Sequence, residues 1–246
     1  AAHREGLYVI FDIVLNHAGR VFDYPGFGSE APFSASPRRV AWRDAGGAAR
    51  PDWDAAENIA NASSDAVVWP RELQNNARFR RQGGPQAGGD DTIGDFASLR
   101  QLRTDDGEVQ RTLIRAYQYV IARFDADGCR IDTLRYLKGD LHRIFGNAMR
   151  QFGLSVGKKN FFTFGEVWSS EERIAQFIGR TTHDSSELVG VDAALDYPLF
   201  YALRAFAKGF GSPQDVAAMY QRRKTVEADI LSSHGDATRF FVTFLD

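Results

Sequence analysis

Arg130 and Asp132 lie two positions apart in the stretch GCRIDTLRY, residues 128 to 136. In an extended chain, alternation puts Gly128, Arg130 and Asp132 on one face and Cys129 and Ile131 on the other. An arginine beside a carboxylate favours the ionised form, which suits a nucleophile that must be charged near neutral pH. The same pair also fits a structural ion pair inside a sheet. Cys129, the single cysteine of the chain, reads as a small core residue on the opposite face rather than as a nucleophile. It allows no intramolecular disulfide and no cysteine-based metal cluster.

A second carboxylate, Glu166, ends the apolar stretch NFFTFGEVW, residues 160 to 168, behind Phe162 and Phe164 on the same face. Apolar neighbours raise a carboxyl pKa, so Glu166 reads as a proton-holding general acid, with a solvated strand-end glutamate as the plain alternative. One ionised and one protonated carboxyl is the division of labour of retaining glycoside hydrolysis, where the two groups stand about 5 to 5.5 Å apart. A third stretch, DIVLNH, places Asp12 and Asn16 on one face and His17 just beyond. Alone it reads as turn chemistry after a strand. Histidines at positions 3, 17, 142, 183 and 234 do not cluster, against a metal-dependent hydrolase of another kind.

These residues need strands that end side by side. Short apolar runs predict strands at 7–15, 128–132, 160–167, 191–195 and 239–246. Helical spacing predicts helices at 105–124, 138–152, 170–179, 198–208 and 213–232, and Gly6 is placed to end a helix. Alternating strands and helices imply a parallel sheet covered by helices, either doubly wound or closed as a β/α barrel. Polar residues at several strand ends and the lack of a Gly-rich phosphate loop favour the barrel. Between about 20 and 94 the periodicity fails, which predicts a loop-rich excursion. Its aromatics Phe22, Tyr24, Trp42, Trp53 and Trp69 are expected to form a small core, with one or two facing a sugar. The triplet Asn61-Ala62-Ser63 fits a glycosylation acceptor but stands without supporting context.

With 43% hydrophobic residues and a net charge of -2, the 246-residue chain has the make-up of a globular protein and no electrostatic basis for nucleic acid or an acidic membrane. No apolar run is long enough to span a bilayer. The start AAHREG lacks an initiator Met and a signal-peptide pattern, so the chain is expected to begin inside a longer protein, with its compartment left open.

Together, DIVLNH, GCRID, FGEVW, GDFASL (94–99) and FVTFLD (241–246) resemble, in order and spacing, the characteristic segments of the α-amylase family of glycoside hydrolases, family 13. The resemblance implies a partial (β/α)8 TIM barrel, about strands 3 to 7, over residues 1–19 and 95–246, with a B-like subdomain inserted at 20–94. It implies a retaining hydrolase or transglycosylase acting on α-glucans such as starch and maltooligosaccharides, with Asp132 as nucleophile and Glu166 as acid/base. Arg130 would orient Asp132, His17 would bind the sugar on the non-reducing side of the cleavage point, and Asp12 would support them. No cofactor is required for that chemistry. Asn16 and Asp95 would ligate a structural calcium, an ion that suits oxygen ligands, or else hydrogen-bond loop backbone.

Departures from the family pattern fall at substrate-facing positions. Arg135 and Tyr136 stand where many α-amylases carry Lys-His, which leaves cleavage preference and metal binding open. GDFASL also lacks the glutamine and asparagine of the oligo-1,6-glucosidase version. The family's third catalytic aspartate belongs to an Asn-His-Asp triplet expected directly after Asp246, and the 246-residue piece alone is expected to be inactive. A relative that keeps the barrel but only binds carbohydrate or a partner is the alternative. The presence of both Asp132 and Glu166 speaks against it.

Overall fold

The computed structural model describes residues 1–53, 68–181, 190–226, 230–231 and 241–244. Among these residues eleven strands are seen: β1 (Ile10–Val14), β2 (His17–Ala18), β3 (Phe22–Asp23), β4 (Ala41–Trp42), β5 (Arg100–Gln101), β6 (Gly128–Asp132), β7 (Phe162–Gly165), β8 (Arg180–Thr181), β9 (Ala193–Leu195), β10 (Ile230–Leu231) and β11 (Phe241–Val242). Among the described residues the α-helices are α1 (Gly107–Phe124), α2 (Leu141–Ser155), α3 (Glu171–Ala175), α4 (Tyr197–Ala207) and α5 (Pro213–Val226). Among the described residues no helix is long and apolar enough to cross a membrane.

The chain forms two compact units, one of Ala1–Ile13, Val120–Arg135 and His142–Asp246, the other of Val14–Tyr119 and Tyr136–Leu141. The first is built on a five-stranded sheet in the order β1-β6-β7-β9-β11. Its pairs β6–β7, β7–β9 and β9–β11 are parallel, with Arg130 opposite Phe164 and Ile131 opposite Gly165. Spatial order follows chain order, with helices between successive strands, as a β/α succession requires. Cys129 and Ile131 are buried on one face of β6 while Arg130 and Asp132 are half-buried on the other. Burial pushes the Cys129 thiol up to about 12, which leaves it inert as a nucleophile.

Several elements depart from the sequence reading. Leu7 and Tyr8 lie before β1 and are exposed, as is Ile10, because β1 is the outermost strand of the sheet among the described residues. The helix expected at 170–179 is a five-residue turn, since Phe177 and Ile178 leave it for the core and Ile178 bridges in parallel to Val191. The helix expected to reach 232 stops at Val226, and Ile230–Leu231 instead pairs antiparallel with Arg180–Thr181. Gly6 does end a short helix, at φ 74, a left-handed conformation that glycine enters without steric cost. Of the last expected strand, Phe241–Val242 is seen and the pairing does not extend to Thr243 and Phe244, while residues 239–240 and 245–246 lie outside the described residues, as do Asn61, His183 and His234.

The second unit is loop-rich. Phe22 packs edge-to-face on Tyr24, Trp42 and Phe79, with ring centroids 5.3 to 5.6 Å apart. These four rings and Trp53 are buried, whereas Trp69 is exposed beside Tyr119. Two antiparallel ribbons, β2–β5 and β3–β4, frame this core.

Candidate active site

Three neighbouring strands deliver carboxylates to one guanidinium, Asp132 and Glu166 from strand ends and Asp12 from the middle of β1. Arg130 Nη1 donates to Asp12 Oδ1 and to Asp132 Oδ1, both at 2.8 Å, and Nη2 donates to Glu166 Oε2 at 2.5 Å. The Glu166 amide donates to the Ile131 carbonyl at 2.9 Å, carrying the ladder one residue past β7 and fixing where its side chain leaves the sheet. Two glycines make this approach possible. A Cβ on Gly128 would stand 2.3 Å from the Phe162 carbonyl, and one on Gly165 would stand 2.3 Å from Leu134 Cδ2. Immediately after Asp132 the chain turns through Thr133 at φ 51, an outlier for a β-branched residue.

Asp132, Glu166 and Arg130 are about three-quarters shielded, with side-chain exposures of 25%, 22% and 21%, whereas Asp12 is 66% exposed. Partial burial pulls the Arg130 guanidinium down. Its bonds to Asp12 and Asp132 and the charge of Glu166 outweigh this and hold it above its ordinary value. Besides the apolar neighbours expected for it, Glu166 has two polar partners. Arg130 reaches one of its oxygens, and the Tyr197 hydroxyl donates to the other, Oε1, at 2.9 Å. Parallel pairing is the cause: Arg130 lies opposite Phe164 on the neighbouring strand, so a long side chain there reaches the tip of β7. The Tyr197 hydroxyl is itself pushed above its ordinary range, first by burial and then by its bond to Glu166, so it remains a donor.

An aromatic surface adjoins these groups. Trp168, 62% exposed, stacks on Tyr197 with centroids 5.9 Å apart and planes 16° apart. Arg135 Nη1 donates to the Trp168 carbonyl at 3.3 Å, which ties the turn after β6 to the turn after β7. Behind them Asp196 caps α4 by accepting from the Leu199 amide, and it pairs with buried Arg223, which also holds Glu171.

His17, Asn16 and Asp95 belong to the second unit. His17 packs on Phe96 at 5.5 Å, and Phe96 meets Tyr136 edge-on at 4.7 Å. Asn16 and Asp95, the pair expected to ligate calcium or to hydrogen-bond the loops, both accept hydrogen bonds from groups of this unit. Asp95 Oδ2 accepts from Tyr24 Oη at 2.5 Å and Arg100 Nη1 at 3.0 Å, and Oδ1 accepts from the Gln101 amide at 2.9 Å. Burial pushes the Asp95 carboxyl up, against the pull of these three donors. Asn16 Oδ1 accepts from Gln101 Nε2 at 3.3 Å. Among the described residues no three His, Cys, Asp or Glu side chains gather in one group.

Of the residues singled out in the sequence, Asp12, Arg130, Asp132 and Glu166 meet in one hydrogen-bonded group. Tyr197 was missed. Its signal was present, since LDY at 195–197 is another strand end turning polar, like the three that were read.

A parallel strand-and-helix succession with carboxylates gathered at strand ends is the architecture of a β/α-barrel enzyme domain. The sequence profile described as "Alpha amylase, catalytic domain" matches residues 1–192, and the chain belongs to that family. An alpha-amylase of Streptomyces lividans is 28% identical over 240 residues, covering 89% of this chain and 25% of the relative. The intracellular maltogenic amylase of Bacillus subtilis is 33% identical over 76 residues, covering 31% of this chain and 12% of the relative. The solved cyclic alpha-maltosyl-(1→6)-maltose hydrolase of Arthrobacter globiformis aligns with a TM-score of 0.57 at 17% identity, over 99% of this chain and 43% of its own. The fold is thus part of a (β/α)8 barrel. The chain spans about a quarter of the length of the Streptomyces relative.

Proposed function

We propose that the protein carrying this chain is a retaining hydrolase or transglycosylase of α-glucans, with Asp132 as nucleophile and Glu166 as acid/base, and with residues 20–94 as a subdomain inserted into the barrel. The observation that carries this reading is the single Arg130 guanidinium bonded to both carboxylates. It fixes the orientation of both carboxyl groups and keeps a positive charge beside Asp132. Asp132 attacks the anomeric carbon while Glu166 donates a proton to the leaving oxygen, and the glycosidic bond breaks as the glycosyl-Asp132 ester forms. Water, or a sugar hydroxyl in transglycosylation, then attacks that ester, with Glu166 taking its proton. Tyr197 orients Glu166 throughout. His17 and Arg135 are assigned to substrate, and Trp168 offers an exposed ring face to a sugar.

Relatives named as amylases and a fold neighbour named as a cyclic alpha-maltosyl-(1→6)-maltose hydrolase support α-glucans as the substrate class. The test is Glu166→Gln, assayed on starch and on an aryl α-maltooligoside whose leaving group needs little proton transfer. Starch cleavage lost with aryl-glycoside cleavage largely kept is the expected result. Equal loss on both substrates, or on neither, would reject Glu166 as the acid.

A further inference from the structure

We infer that Arg100 is the resident cation of the loop-rich unit, so that the Asp95 carboxylate is held by a guanidinium of this chain and takes no divalent ion. The segment GDFASLRQL supplies both charges, five residues apart. Arg100 is fully buried, and three of its nitrogens meet three oxygens: Nη1 to Asp95 Oδ2 at 3.0 Å, Nε to the Phe22 carbonyl at 2.9 Å, and Nη2 to the Ser29 carbonyl at 2.7 Å. Asp23 Oδ1 lies 3.8 Å from Nη2. Carboxylate and main-chain carbonyl oxygens are the types a calcium ion collects, and here they converge on a planar cation. The guanidinium lies over the rings of Phe22 and Tyr24, 5.0 and 4.8 Å from their centroids, a contact that suits arginine and not a hydrated metal.

Gln101 completes the arrangement. Its main-chain N–H goes to Asp95 Oδ1 and its side-chain amide goes to Asn16 Oδ1, so a neutral residue bridges the two oxygens that a shared ion would otherwise join. The same amide donates to the Thr92 carbonyl at 2.9 Å, and its oxygen accepts from the Gly94 amide at 2.8 Å. A divalent ion at Asp95 would have to break the Tyr24 bond and stand beside buried Arg100. Two cations at contact in a buried site of low dielectric repel strongly.

The experiment compares the whole protein with its Asn16→Ala and Arg100→Lys variants, after EDTA treatment and after addition of calcium chloride. Asn16→Ala is expected to bind the same number of calcium ions as the parent in calorimetric titration. Arg100→Lys is expected to melt several degrees lower in EDTA and in calcium alike, because an ammonium cannot reach three separated oxygens. One calcium ion fewer in Asn16→Ala, or an Arg100→Lys melting temperature equal to that of the parent, would overturn the inference.

Discussion

Arg130 and Glu166, on neighbouring strands, are joined by a 2.5 Å hydrogen bond, and the same guanidinium holds Asp132 at 2.8 Å. Lysine cannot reproduce this fork, because an ammonium is a point charge on a flexible stem. Arg130→Lys is expected to keep the fold and to lower kcat by more than about tenfold, the equivalent of ~1.4 kcal/mol of transition-state positioning. Initial rates on a soluble maltooligosaccharide, with circular dichroism as the fold check, measure this. An unchanged kcat would show that the fork does not position the carboxylates.

Asp132→Asn removes the proposed nucleophile and keeps its shape. Arg130 retains Asp12 and Glu166 as partners, so the site loses one bond and no packing. Turnover is expected to fall by several orders of magnitude while the melting temperature moves little. Near-normal hydrolysis by the variant would reject the nucleophile assignment.

Tyr197→Phe deletes one donor to Glu166 Oε1. A hydrogen bond is worth about 0.5–1.5 kcal/mol, so kcat/KM is expected to drop roughly two- to tenfold. Burial and the Glu166 bond raise the hydroxyl above its ordinary value. The wild-type rate profile should therefore show no loss from phenol ionisation up to pH 10, and an alkaline break that Tyr197→Phe removes would contradict this.

Much of this site was readable from short stretches because its information is local. Alternation alone put Arg130 and Asp132 on one face of β6, and both lie on the face opposite buried Cys129 and Ile131. The polar partners of Glu166 were not readable. The local stretch shows its own strand's Phe162 and Phe164, while the groups that touch it come from positions 36 and 31 residues away. Asn16 and Asp95 show the same limit. Their bridge, Gln101, stands 85 residues from Asn16, and only the β2–β5 pairing brings them together. Boundaries erred where a tertiary partner took over the backbone, as when Ile230–Leu231 left the helical pattern to pair with β8.

Arg223 is expected to be the costliest single truncation in the first unit. It is 1% exposed and the partner of two buried acids, Asp196 and Glu171. Removing one member of such a group leaves unpaired charge in a dry interior, which costs about 3–5 kcal/mol. Arg223→Ala should show this in urea unfolding. A loss below about 1 kcal/mol, the level of an exposed ion pair, would mean that water reaches these acids.

Asp127 tests the acid side of stability. Burial raises its carboxyl, but bonds from Lys158, the Val9 amide and His3 outweigh this and hold it at about 2. Lys158 Nζ lies 2.8 Å from Oδ1, and His3 Nε2 lies 2.6 Å from Oδ2. The folded value lies below the unfolded one of about 3.9, so folding releases a proton in that range. The stabilisation is complete above pH 4 and is lost as the pH falls towards 2. Asp127→Asn should therefore melt below the parent at neutral pH, with the gap closing between about pH 4 and pH 2. A gap that stays constant across that window would assign the effect to lost packing rather than to the charge of Asp127.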